Sequence, residues 1–162
     1  MLGIDNPILV LVILTLLPFL ELRASIPYGI FSTDLHWSIV FIVCVITNII
    51  LGPVIYLFLD KVMHIFLRIN FIHKLYHKII EKPRQKVHAA VERYGTLGVA
   101  LFIGIPLPGS GSYSGALGSY LLGLGYKRFI IANTLGVIIA GIAMLLISFT
   151  GSSALGVFIK RV

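Results

Sequence analysis

The feature that most constrains this chain is the length of its uncharged apolar runs. Leu35 to Leu59 carries no formal charge and is bounded by Asp34 and Asp60. Phe129 to Phe149 is a second such run, set between Lys127-Arg128 and a Gly151-Ser152-Ser153 turn signal. A helix needs about 20 apolar residues to cross a bilayer. Both runs reach that length and are read as transmembrane helices. Composition agrees: 58% of the residues are apolar and 12% charged, where soluble domains run about 45–50% and about 25%. A soluble globular domain and a disordered chain are both excluded. A small, basic integral membrane protein of net charge +7 is left. The one cysteine, Cys44, allows no internal disulfide and reads as a packing residue. The N-terminus has no basic n-region and no small-residue cleavage pattern, so a chain starting near Met1 is expected.

Two further apolar stretches are not plain spans. Asn6 to Leu20 is uncharged but short of a full crossing. It then meets Glu21, Arg23 and Pro27 before a short apolar piece, Ala24 to Phe31. Tyr94 to Tyr126 is uncharged and longer than a span requires. It holds nine of the sixteen glycines, with Pro106 and Pro108 near its middle. Proline removes a backbone donor and glycine favours turns. Irregular backbone at membrane depth persists only where protein or a wet cavity surrounds it. Each stretch is therefore expected to be a re-entrant hairpin of two half-length helices, with a kinked full-length helix as the alternative.

Asp60 to Arg93 carries eight Lys/Arg against three acids, a net +5. Val62, Ile65, Phe66, Ile69, Ile72, Tyr76 and Ile79 recur at helical spacing opposite Lys61, His64, Arg68, Lys74 and Lys78. A basic amphipathic helix in the inner headgroup layer follows, binding anionic membrane lipids through residues 61–86. Cytoplasmic loops are rich in Lys and Arg, so 60–93 is placed in the cytoplasm. With a re-entrant 94–126, ten basic residues lie in inner loops and two in outer ones. Nucleic-acid binding is not expected, because membrane orientation already accounts for the basic run.

The expected fold is thus an all-α integral membrane protein with two halves of one plan. Residues 1–59 form the first (hairpin 6–33, transmembrane helix 35–59), and 94–150 the second (hairpin 94–126, transmembrane helix 129–149), with 60–93 between them and a tail at 151–162. Ile46 to Gly52 echoes Ile131 to Gly136, and Leu17-Pro18 sits opposite Ile105-Pro106. One crossing per half orients the halves oppositely, as in the inverted repeats of secondary transporters.

Chemistry concentrates at the two breaks. Glu21 and Arg23 are the only charged residues within the predicted embedded hairpins. A charge at bilayer depth costs about 2.5–3.5 kcal/mol on insertion scales, so such residues usually pair or line a pathway. Desolvation favours the neutral form of a carboxylate, which suits a proton or cation carrier, and the guanidinium suits an anionic group; snorkelling at the interface is the alternative. In Pro106-Leu107-Pro108-Gly109-Ser110-Gly111-Ser112, prolines stop one half-helix, glycines allow the reversal, and free N–H groups open the next half-helix, a pattern that attracts anions. Ser110, Ser112, Tyr113 and Ser114 add hydroxyl groups. Asn48 and Asn133, at matching repeat positions, either bond across the pseudo-twofold axis or line a cavity. His73 and His77 share a helix face, but no acid or cysteine completes a metal set. No cofactor site and no nucleophile–base pair is legible, so an enzyme is not expected. The candidate pathway is Glu21, Arg23, Pro27, Asn48, Pro106, Pro108, Gly109, Ser110, Gly111, Ser112 and Asn133.

Glu21-Leu22-Arg23-Ala24-Ser25-Ile26-Pro27 and Pro106-Leu107-Pro108-Gly109-Ser110-Gly111 resemble the paired motifs of the small multidrug export protein family. Arg93-Tyr94-Gly95, Pro106, Gly115, Lys127-Arg128-Phe129, Asn133 and Gly136 also resemble the wider DedA superfamily in order and spacing. The resemblance implies two facing re-entrant hairpins, proton-dependent transport and movement of lipid phosphates. Glu21 would match one acidic position of the first hairpin. A second acidic position is missing near Tyr28-Gly29, and Gly104 and Gly109 stand where the second hairpin carries arginines. The expected activity is a small transporter or exporter of an amphiphilic or anionic-headgroup substrate. A membrane-embedded enzyme acting on lipid phosphates and a non-catalytic organiser are the rivals. Two spans bury little surface alone, so a homodimer is the expected assembly.

Overall fold

A computed structural model describes residues 6–66, 94–107 and 109–159, with side chains through 62 and 151 in the two long helices. Every regular element among the described residues is a helix: α1 (Pro7–Leu16), α2 (Glu21–Ser32), α3 (Trp37–Phe66), α4 (Tyr94–Gly104), α5 (Ser112–Leu122) and α6 (Tyr126–Ile159). The order is twice the same: two short helices across a break, then one long helix. The apolar stretches Trp37–Val62 and Tyr126–Gly151 are long enough to cross a membrane. The basic segment 67–93 and Pro108 lie outside the described residues, as do His73, His77 and most of the run 61–86 expected to bind lipid.

Local chemistry sets the helix ends. The Asn6 side chain accepts from the Ile8 N–H at 3.0 Å, and Pro7 opens α1 where no donor is needed. Leu17 is extended (φ −75°, ψ 129°) because Pro18 disfavours helical backbone in the residue before it. The chain reverses through Pro18-Phe19-Leu20 and re-enters a helix at Glu21. Phe19 and Glu21 have φ of 71° and 41°, left-handed conformations that L side chains rarely adopt. At the other break, Gly109 takes φ 87°. Gly123, at φ 78°, ends α5 by donating its N–H to the Ser119 and Tyr120 carbonyls.

The two long helices run further than the charge pattern implies. α3 continues through Asp60 and Lys61 to Phe66, and α6 continues through Gly151-Ser152-Ser153 to Ile159. A charge ends hydrophobicity, not helicity, and a single glycine costs a helix only about 1 kcal/mol.

α3 packs against α1, α2, α5 and α6, and α2 packs against α6, so the two halves interlock. Leu11, Ile26, Val40, Cys44, Ile103, Phe129 and Val137 form the buried centre. Ile42, Ile46, Ile50, Val54 and Phe58 run down the outside of α3 at helical spacing, more than half exposed. Such a stripe would aggregate in water and suits hydrocarbon.

One contact ties the halves at mid-helix. Pro53 stands inside α3 and has no N–H for the Ile49 carbonyl four residues back. Asn133 of α6 supplies the missing donor, its Nδ2 bonding Ile49 O at 3.2 Å. Gly52 makes the approach feasible, because a Cβ there would stand 2.5 Å from the Asn133 amide.

Candidate functional site

The two breaks meet. Their contact begins from an omission: α5 opens at Gly111, which has no side-chain oxygen to accept the free N–H groups of the first turn. The acceptor comes from another helix. Glu21, the first residue of α2, is 5% exposed and turns its carboxylate onto the start of α5. Oε2 accepts from the Ser112 N–H at 3.1 Å and Oε1 from the Tyr113 N–H at 3.4 Å. Asn48 of α3 adds a third donor, Nδ2 to Oε2 at 3.3 Å. A carboxylate at a helix N-terminus also meets the positive end of the helix dipole. These bonds offset the left-handed backbone of Glu21, a conformation that costs about 1–3 kcal/mol.

Arg23 engages the same turn one step earlier. Its Nη2 donates to the Ser110 carbonyl and, at 2.9 Å, to Ser110 Oγ. Ser110 serves the break itself. The Ser110 hydroxyl, with one hydrogen to give, lies within reach of the Ile105 and Leu107 carbonyls at 2.5 and 2.9 Å. Ser114 Oγ accepts from the Gly111 N–H at 3.0 Å. The favour is returned across the contact: Tyr113 of α5 donates its phenol to the Leu16 carbonyl, at the end of α1, at 2.6 Å. Each hairpin tip thus satisfies backbone groups that the break in the other leaves open.

Glu21 and Arg23 form a partition between two small spaces. On one side lies a cavity of about 10 Å³, walled by Asn48, Pro106 and Ser110 with Ile103, Ala140 and Met144. On the other is a chamber of about 60 Å³, walled by Pro18, Phe19, Gly109, Gly111, Tyr113 and Ser114. Ser114 also borders an apolar groove of about 330 Å³ between α4 and α5, with Gly95, Gly98 and Gly118 in its walls.

Of the residues expected from sequence, Glu21, Arg23, Asn48, Ser110, Gly111 and Ser112 are joined in one cluster, with Pro106 and Gly109 in its walls. Pro27 is placed elsewhere, inside α2. Asn133 is fully buried and sits on Ile49 of α3, where it mends a helix. The candidate list lacked Tyr113 as a contact and Ala140 and Met144 as walls. Only the run of hydroxyl residues after Gly109 pointed to Tyr113.

Two apolar helices of spanning length and a charged cluster held between broken helices define a helical membrane protein. The sequence profile of the small multi-drug export protein family matches residues 21–143. The chain belongs to that family, and so to the membrane transporters or exporters. The match starts at Glu21, just after the first break, and takes in the second break and about half of α6. No curated protein matches the chain, and no solved structure does.

Proposed function

We propose that this protein is a multi-pass transporter of the prokaryotic inner membrane that moves an amphiphile with an anionic headgroup between two re-entrant hairpins, coupled to protons at Glu21. In this reading α1–α2 and α4–α5 are the hairpins, α3 and α6 are the spans, and the halves are inverted repeats with 60–93 in the cytoplasm. The observation that carries it is the meeting of the breaks. The two charges of the embedded segments, Glu21 and Arg23, converge on the turn that opens α5. Broken helices whose ends face each other at mid-membrane are the site plan of secondary transporters. An anionic headgroup suits Arg23 and the α5 N-terminus, and an apolar tail suits the adjoining groove. The positive-inside bias supports the orientation.

The test is flux in proteoliposomes under an imposed pH gradient, with a fluorescent amphiphile bearing a phosphate or sulfate head. Wild type is expected to respond to the gradient. Glu21→Gln is expected to lose that response, and Arg23→Gln to lose flux. Transport by Glu21→Gln with an unaltered pH profile would remove the proton role.

A further inference from the structure

The first turn of α5 is built to hold an anion, and it already holds one. The Ser112 and Tyr113 N–H groups, the helix dipole and the nearby Arg23 guanidinium form a cradle for one negative charge. Glu21 fills it from a neighbouring helix, while its own backbone is held at φ 41°. The fit leaves capacity over. Ser112 is fully buried on that same turn, and its Oγ has no partner. Arg23 Nε is also buried with no partner. A buried hydroxyl and a guanidinium N–H left open beside a filled carboxylate site are unusual in a purely structural cap. A tetrahedral oxyanion has acceptors for both, where a planar carboxylate has two oxygens already engaged. Contact is equally tight: a Cβ on Gly111 would overlap the Glu21 carboxylate, and two anions on the same pair of N–H groups would repel each other.

We propose that Glu21 is a tethered stand-in for the substrate anion, a phosphate- or sulfate-like group that displaces the carboxylate from the start of α5 and takes its place against Ser112, Tyr113 and Arg23. This rests on the transporter reading and adds a rule to it: the cradle holds one negative charge at a time. An anion therefore enters most readily where the Glu21 carboxylate is absent or drawn back from the turn. Several groups face Glu21. Arg23 on its own helix and the Tyr113 phenol on α5 are the titratable ones, while α3 presents Asn48, and α4 and α6 present Ile103, Ala140 and Met144.

The experiment is calorimetric binding to the full chain in nanodiscs. Inorganic sulfate in zwitterionic discs probes a free anion, and discs doped with a sulfate-headed lipid probe a headgroup. Both are read at neutral pH. Glu21→Gln is expected to bind about tenfold or more tightly than wild type, the worth of one charge-assisted contact. Arg23→Gln is expected not to bind. Glu21→Asp keeps the charge but draws it back from the turn. It is expected to bind more tightly than wild type, which guards against a folding defect in Glu21→Gln. This pattern with free sulfate identifies a free anion, and with the doped discs alone a lipid headgroup. Equal binding by wild type and both Glu21 variants, from either source, overturns the proposal. Flux separates it from the transport reading: displacement without flux sinks transport alone, and flux without displacement sinks the stand-in alone.

Discussion

At Gly111 what matters is the side chain that is absent. A methyl there would take the space of the Glu21 carboxylate, leaving the Ser112 and Tyr113 amides buried without acceptors. Gly111→Ala is therefore expected to destabilise the protein by about 1–3 kcal/mol, the cost of unsatisfied buried polar groups. Gly118, about two turns further on, has nothing within 4 Å of a built Cβ. Gly118→Ala is expected to stabilise by up to about 1 kcal/mol through helix propensity. Unfolding by SDS titration from mixed micelles would separate the two. Glu21 and Arg23 could be picked from the sequence because charges are scarce there. The requirement at Gly111 could not, because it depends on a carboxylate in the other half of the chain. The left-handed backbone at Phe19 and Glu21 was equally hidden, since neither residue type signals it.

Elements were legible where hydrophobicity and prolines speak together. The two spans followed from charge-free runs, and the breaks from Pro18 and Pro106 with their neighbouring residues. Helix ends were less legible, because Asp60 and Gly151 change what a helix faces without stopping it. The repair of α3 was not legible at all. Asn133 read as a residue that either bonds across the pseudo-twofold axis or lines a cavity, and neither reading named its partner, a carbonyl that a proline elsewhere leaves open. This makes a quantitative prediction. Asn133→Ala is expected to cost about 1–3 kcal/mol. Adding Pro53→Ala restores a backbone donor to Ile49 and should recover much of that loss. A double-mutant cycle in the same SDS assay should give a coupling of about 0.5–3 kcal/mol between the sites. Additive losses would show that Asn133 does something other than complete α3.

At the scale of the molecule, the halves are held by packing on both sides of the central helices. α3 lies against α5 and α6, and α2 lies against α6. The polar bonds at the tips and at Ile49 also cross between halves. Association should therefore outlast a cut in the chain. Co-expressed fragments divided between Phe66 and Tyr94 are expected to co-purify in mild detergent, and a tag on one failing to retain the other would refute this. Charge scarcity in the sequence marked the breaks as special; that each would complete the other could be seen only in three dimensions. The mutual completion also bears on how such a molecule can move. Parting the tips uncovers the α5 amides, the Ser110 and Leu16 carbonyls and the Arg23 guanidinium in one step. Hydrocarbon offers none of them a partner, so the opening stroke must be a wetting event. Its speed should then follow the activity of water at the membrane: osmolytes that withhold solvent should slow turnover even when substrate and voltage are held constant.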